Sequence, residues 1–310
     1  MRMAETPDTA HAGDNKGASY IVRGQVIAAP GLAPGLYVVA TPIGNLSDIT
    51  IRALDVLAAA DVIACEDTRV TRKLLTRYGI SAKVFSYNDY SDNRKRDRII
   101  EAVSGGQSVA LVSDAGTPLI SDPGYRLVAA LREAGLPVVP VPGPSSLLSA
   151  LAGAGLPTDR AHFAGFLAPK AGARRRELGA LAALDATLIL LESPNRLAAT
   201  LADAADLFGS GTEACVCREM TKLHETFDRG TLPELAARYA GETVKGEVVL
   251  LIHSGGSAKQ ALAPEAVDAL LAAALAGGSV RQAADQVAAE TGLARRGLYQ
   301  RALELKNDSE

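Results

Sequence analysis

Residues 111–124 read LVSDAGTPLISDPG, and the reading of this stretch decides the fold. Its first residues close an apolar run, Val109–Val112, of the kind that forms a strand buried on both faces. The run stops at Ser113-Asp114, and two glycines, two prolines and a second aspartate follow within ten residues. Gly116 lets the main chain approach a ligand without a Cβ in the way, while Pro118 and Pro123 stiffen the loop. In an open α/β sheet, ligands gather outside the carboxyl ends of the strands, where free backbone groups converge. An acid-bearing, glycine-rich loop at a strand end is therefore either a capped turn or one wall of a binding site.

Recurrence favours the site. ATPIGN (Ala40–Asn45), SDAGTP (Ser113–Pro118) and VPGPSS (Val141–Ser146) all follow apolar runs, and CEDTR (Cys65–Arg69) adds acids at a fourth strand end. These loops hold Asp, Gly, Pro and Ser with almost no Lys or Arg, which makes them poor phosphate cradles. They suit an uncharged ribose, an adenine and an amino-acid head group, chemistry that points to S-adenosylmethionine. No Walker-type loop occurs, and GSGTEA (Gly209–Ala214) fits a dinucleotide fingerprint but precedes a strand instead of following one.

Working outward, strands and helices alternate from Gly35 to about Gly155, as in a mainly parallel α/β sheet. A second α/β set with less even spacing predicts antiparallel pairs among its strands. Three short helices follow residue 255, the last two with the length and turn of a helix-turn-helix unit. The expected organisation is a disordered extension over 1–34, α/β domains over 35–155 and 156–255, and a small helical, helix-turn-helix-like domain over 256–310.

Composition sets limits on function. The 310 residues are 48% hydrophobic and 22% charged, with a net charge of −3, so any nucleic-acid contact must use local basic patches. With no Trp and 4% aromatics, a base-stacking platform is not expected. Cys65, Cys215 and Cys217 read as small buried hydrophobes, and the four His show no ligand spacing, so no metal is expected. The start of the chain has no apolar signal core and no run reaches membrane-spanning length, which predicts a cytoplasmic protein with no membrane partner.

Together, LYVVATPIGNLSDITIRALDVLAAADVIACEDTRVTRKLL, LVSDAGTPLISDPG, VPGPSSLLSALAGAGLP and FAGFLAPK resemble the tetrapyrrole-methylase superfamily. Within it they are most similar to the RNA branch, the 16S ribosomal RNA cytidine 2'-O-methyltransferases. Porphyrin-type members carry Gly-Pro-Gly-Asp-Pro and Gly-Gly-Asp-Pro loops where this chain has TPIGN and AGTP. The resemblance implies two α/β domains of the tetrapyrrole-methylase type with a cleft between them that binds S-adenosyl-L-methionine, usually in a homodimer. It places cofactor contacts at Pro42, Gly44, Ala115, Gly116, Thr117, Ile120, Ser145 and Ser146, and less directly at Leu191, Glu192 and Gly246. Asp114 joins them as an acceptor for a ribose hydroxyl or amino group. The implied target is a cytidine in the decoding region of 16S rRNA, in the small ribosomal subunit.

Methylating a ribose hydroxyl needs alignment and a positioned base. Glu66, Asp67 and Glu219 are the catalytic candidates, with Asp67 equally readable as a helix cap. Arg69 could orient an acid or grip a phosphate, and Lys170, Arg174, Arg175 and Arg176 form a basic cluster directly after GFLAP that suits RNA. The run Arg94, Lys95, Arg96 and Arg98 reads as a solvated helix face. Two other readings stay open: a tetrapyrrole C-methyltransferase, and a non-catalytic RNA-binding assembly factor.

Overall fold

The computed structural model describes residues 17–87, 93–122, 124–255, 264–291 and 295–307. It begins with a hairpin, β1 (Ser19–Val22) and β2 (Gln25–Ala28), paired antiparallel. Its two-residue turn, Arg23-Gly24, has both residues at positive φ, the geometry that matches strand twist in a tight hairpin. Tyr20 is buried with Leu54, Leu57 and Tyr78 in one hydrophobic cluster. This corrects the expected disordered extension for residues 17–34: YIV and QVIA flank an Arg-Gly turn, and burying Tyr20 offsets the cost of ordering them. Residues 1–16 lie outside the described residues.

The first sheet contains β3 (Gly35–Val39), β4 (Val62–Cys65), β5 (Val84–Ser86), β6 (Ser108–Val112) and β7 (Val138–Val141), in the order β5-β4-β6-β3-β7. Every pairing in it is parallel. Its helices are α1 (Ile51–Ala59), α2 (Thr68–Arg77), α3 (Asn93–Ser104), α4 (Tyr125–Glu133) and α5 (Ser146–Gly153). All five residues of β6 are buried, as a central strand covered on both faces requires. Neighbouring strands β3 and β6 send their next connections to opposite sides, β3 towards β4 and β6 towards β7. That is a topological switch point, and the loops leaving both strands open there.

The second sheet contains β8 (Ala161–Phe166), β9 (Asp185–Glu192), β10 (Glu213–Arg218), β11 (Thr226–Thr231) and β12 (Val248–Gly255), in the order β11-β10-β12-β9-β8. β8 runs parallel to β9 and β12 antiparallel to it, so this sheet is mixed as its uneven spacing predicts. α6 (Ala171–Leu181), α7 (Leu197–Phe208) and α8 (Leu232–Tyr239) accompany it, and α8 begins with a Thr231/Glu234 capping box. Cys215 and Cys217 are both buried free thiols.

Three further helices, α9 (Pro264–Leu275), α10 (Val280–Thr291) and α11 (Arg295–Asn307), share a small core of Leu271, Ala284, Val287, Leu298 and Ala302. No helix among the described residues is long and apolar enough to cross a membrane.

The compact units divide after Gly153, with one exception: Arg218–Thr226 belongs to the first unit. The reason is local. A Cβ on Gly44 would lie 2.6 Å from Lys222 Cγ and 2.8 Å from Thr221 Oγ1, so this excursion packs directly on the first glycine-bearing loop. Glu219 and Thr221 hold positive φ, a strained backbone for non-glycine residues.

Candidate functional site

Because the strands of the first sheet are parallel, the loops after β3, β4, β6 and β7 leave from one edge. The structure ties them together through backbone groups. Thr41 and Gly116 form an isolated antiparallel bridge, with Thr41 N–H donating to Gly116 O at 2.8 Å and Gly116 N–H to Thr41 O at 3.0 Å. Thr117 Oγ1 donates to Pro144 O at 3.3 Å, joining the loop after β6 to the one after β7. Gly116 sits at φ +77°, a conformation that glycine adopts without the strain of a Cβ, and so permits the turn. Gly143 is constrained by packing alone, since an added Cβ would lie 3.0 Å from Ala40 Cβ.

The fourth loop joins through acids. Asp67 N–H donates to Asp114 Oδ1 at 3.0 Å. Asp114 Oδ2 has no hydrogen-bond partner among the described residues, and Asp114, Ala115 and Ile120 are exposed beside it. Ser145 accepts the N–H of Ser149 on its carbonyl, and Ser146 opens α5. Pro42 is buried beneath the first loop while Gly44 is exposed. The structure thus gathers Pro42, Gly44, Asp114–Thr117, Ile120, Ser145 and Ser146 onto one edge of the first unit.

The carboxylates at this edge separate into distinct roles. Asp67 caps α2, accepting Arg69 N–H at 2.8 Å, while the Arg69 guanidinium engages both its oxygens, closest at 2.6 Å. The Arg69 hydrogen bonds hold its carboxyl down at about 2. A carboxylate so fully engaged is a poor proton acceptor, so the cap is the reading that the geometry favours. Glu66 is the opposite case. Partial burial pushes its carboxyl up, and the negative charges of Asp114, Asp122 and Asp67 add to the effect. Glu66 also borders a cavity of about 10 Å³ walled by Tyr87, Leu111, Val112 and Ser113, room for at most one water.

Asp122 is the residue that sequence reasoning missed. Burial raises its carboxyl, opposed by a hydrogen bond from Ser113 and reinforced by Asp114. The Ser113 hydroxyl also lies 3.2 Å from Ala115 O, and Ser113 O accepts from Thr41 Oγ1 at 3.3 Å. The signal was visible in SDPG, which repeats the Ser-Asp pair of SDAG eight residues earlier.

Glu219 belongs to the excursion that packs on Gly44, and its Oε1 accepts from Lys222 Nζ at 2.8 Å. It therefore lies in the same unit as Glu66, reached from a distant part of the chain.

In the second unit, several expectations are corrected. Glu192 is buried with both oxygens occupied: Ser193 N–H and the Arg196 guanidinium bind Oε1, and Thr200 Oγ1 donates to Oε2 at 2.6 Å. It holds β9 to α7, with its side chain committed to these internal partners. Arg174 is buried, paired with Asp203 at 2.6 Å, so it is not an RNA contact. Arg175 bridges Asp203 and Asp206 from a half-exposed position. Lys170 and Arg176 are exposed at the start of α6. Leu191 is half-buried and pairs with Val249, while Gly246, at φ +85°, turns the chain before β12.

The family model described as Tetrapyrrole (Corrin/Porphyrin) Methylases matches residues 35–236, and that of the RsmI C-terminal HTH domain matches 260–306. Ribosomal RNA small subunit methyltransferase I of Mesorhizobium japonicum is 50% identical over 284 residues, 91% of this chain and 96% of its own. The protein of that name from Escherichia coli O157:H7 is 44% identical over 273 residues, 87% of this chain and 94% of its own. Among solved structures, a cobalt precorrin-4 methyltransferase shares the fold at a TM-score of 0.54 and 20% identity, covering 70% of this chain and 93% of that one. Diphthine synthase does so at 0.56 and 16%, covering 71% and 89%. The chain belongs to the tetrapyrrole methylase family, in the group of the ribosomal RNA small subunit methyltransferases I.

Proposed function

We propose that this protein transfers a methyl group from S-adenosylmethionine to the ribose 2'-hydroxyl of a cytidine in 16S ribosomal RNA of the small subunit, acting in the cytoplasm as a homodimer. The observation that carries the reading is the convergence of four strand-end loops at one edge, with Glu66 exposed there among Asp67, Asp114 and Asp122, which raise its proton affinity. The names of the relatives at 44–50% identity support an RNA substrate over a tetrapyrrole.

The donor set fits the cofactor. The loops present backbone groups, an exposed carboxylate oxygen of Asp114 and the apolar Ile120, with no Lys or Arg in residues 40–45, 113–118 or 141–146. Asp114 would accept a ribose hydroxyl of the cofactor, the main chain of Ala115–Thr117 would meet its adenine, and Gly44, Ser145 and Ser146 would border it. When bound, S-adenosylmethionine supplies the methyl group as a sulfonium electrophile with a good leaving group. Glu66, whose proton affinity is raised by partial desolvation and by its acidic neighbours, accepts the hydroxyl proton of the target ribose as the oxygen attacks. Glu219, fixed by Lys222, supports the same edge from the neighbouring excursion.

The test incubates labelled S-adenosylmethionine and the protein with small ribosomal subunits from cells lacking the modification, then maps label by nuclease digestion and mass spectrometry. One 2'-O-methylcytidine is the expected product. Label on a base, or on a tetrapyrrole substrate in place of RNA, would sink the reading.

A further inference from the structure

Helix α2 begins at the candidate site and ends at the hairpin, and its ten residues, TRVTRKLLTR, contain four basic side chains and no acidic one. At 100° per residue, Arg69, Arg72, Lys73 and Arg77 fall within an arc of about 140°. The opposite side of the helix, Thr71, Leu74 and Leu75, is buried. All four basic residues are exposed. Arg69 is paired with Asp67, whereas Arg72, Lys73 and Arg77 form no ion pair among the described residues.

The stripe continues past the helix. Ile21 N–H donates to Tyr78 O at 2.7 Å and fastens the hairpin to the end of α2. Arg23, exposed in the hairpin turn, then lines one groove of about 460 Å³ together with Arg77, Ile51 and Tyr78. The carboxylates nearby include Asp67, already engaged by Arg69, Asp114, whose charge reaches Arg69, Asp48, whose charge reaches Tyr78, and Asp55, held against Tyr20. Five cations on one face contrast with a chain whose net charge is −3.

We infer that the exposed face of α2, extended by Arg23, is a docking surface for the phosphodiester backbone of the RNA that flanks the target nucleotide. The inference rests on the RNA reading of the site proposed above. From Arg69 to Arg77 the helix advances about 12 Å, the length over which one duplex strand presents roughly three to four phosphates. Arg69 is adjacent in sequence to the Glu66-Asp67 loop, so a backbone lying along this face would run towards the carboxylate assigned as base. A solvated helix face would balance its charges or pair them; this one does neither over Arg72, Lys73 and Arg77.

The full-length protein tests it directly. Affinity for small subunits lacking the modification, and for protein-free 16S RNA, is measured across a salt series for three forms. These are wild type, Arg72→Gln/Lys73→Gln/Arg77→Gln, and a matched-charge control on α3, Arg94→Gln/Lys95→Gln/Arg98→Gln. The α2 variant is expected to bind both RNA probes more weakly, its slope of log affinity against log salt falling by about 2, at roughly 0.7–0.9 per lost phosphate contact. Cofactor affinity and thermal unfolding, measured alongside, exclude misfolding as the cause. An unchanged slope overturns the inference, as does an equal fall in the α3 control. Weaker binding to assembled subunits with unchanged binding to protein-free RNA also overturns it, because the partner on this face would then be a protein. Methyl transfer by the wild type reports separately on the underlying reading: its absence with a normal α2 salt effect removes the reaction assignment and leaves the surface.

Discussion

Two glutamates end two strands, one in each sheet, and each is followed within four residues by an arginine: Glu66 in CEDTR and Glu192 in LESPNR. In sequence they are the same signal. In the structure they are opposites. Glu192 is buried at 4% exposure, and its oxygens are filled by Ser193, Arg196 and Thr200. Glu66 has no cation to itself, because Arg69 turns to Asp67, and three carboxylates surround it. A satisfied buried charge is a fastener, whereas an exposed, partly desolvated carboxylate among like charges has its proton affinity raised. What separates them is which residue the following arginine reaches, a choice made by the loop geometry.

The strongest way to break this comparison is to neutralise each member. Glu192→Ala should lower stability in urea unfolding by about 3–5 kcal/mol, since it strands the Arg196 guanidinium. Glu66→Gln should leave stability unchanged or slightly raised while lowering kcat by roughly 10²–10⁴-fold at constant cofactor affinity. Equal stability losses in the two variants would erase the distinction.

A smaller version lies within α6. Arg174→Ala breaks the buried pair with Asp203 and should cost about 3 kcal/mol. Arg176→Ala, on an exposed position two residues on, should change stability by less than about 0.5 kcal/mol. Thermal melts of both variants check the assignment of Arg174 to structure and not to RNA binding.

The smallest effect concerns pH. Glu66 must be ionised to accept a proton, and its raised carboxyl means that activity climbs with pH along a limb displaced above the usual 4.5. Asp122→Asn removes one of the raising charges, so the limb of kcat/KM should move to lower pH; movement upward would contradict the arrangement. The stability contributions have opposite signs. That of Glu66 favours folding below its ordinary value and is lost as pH rises through its raised one. That of Asp67 is present above 3.8 and lost as pH falls through about 2.

Much of the fold was legible because strands buried on both faces leave continuous apolar runs, and helices leave periodic ones. SVALV and VVLLI are examples of the first, and DITIRALDVLAAA of the second. Elements stabilised by distant partners were not legible. The β1–β2 hairpin has only four residues per strand and depends on Tyr20 reaching the first unit's core and on Tyr78 O accepting from Ile21. β11 and α8 were also missed, since TFDRGT has no alternation to announce a strand.

The sequence by itself determined the α/β class, the helical tail, the positions of the strand-end loops and the family, because these depend on local pattern and on motifs in fixed order. Only the tertiary structure decided how the matching residues are buried and partnered. The parallel sheet order β5-β4-β6-β3-β7 brings loops from four strands to one edge, and the excursion Arg218–Thr226 adds Glu219 to the same unit. Whether a carboxylate is saturated or left among like charges depends on neighbours many residues away, as Asp67 N–H reaching Asp114 across 47 positions shows. Burial and partner choice are properties of the packed chain, and they set the proton affinity on which the chemistry rests.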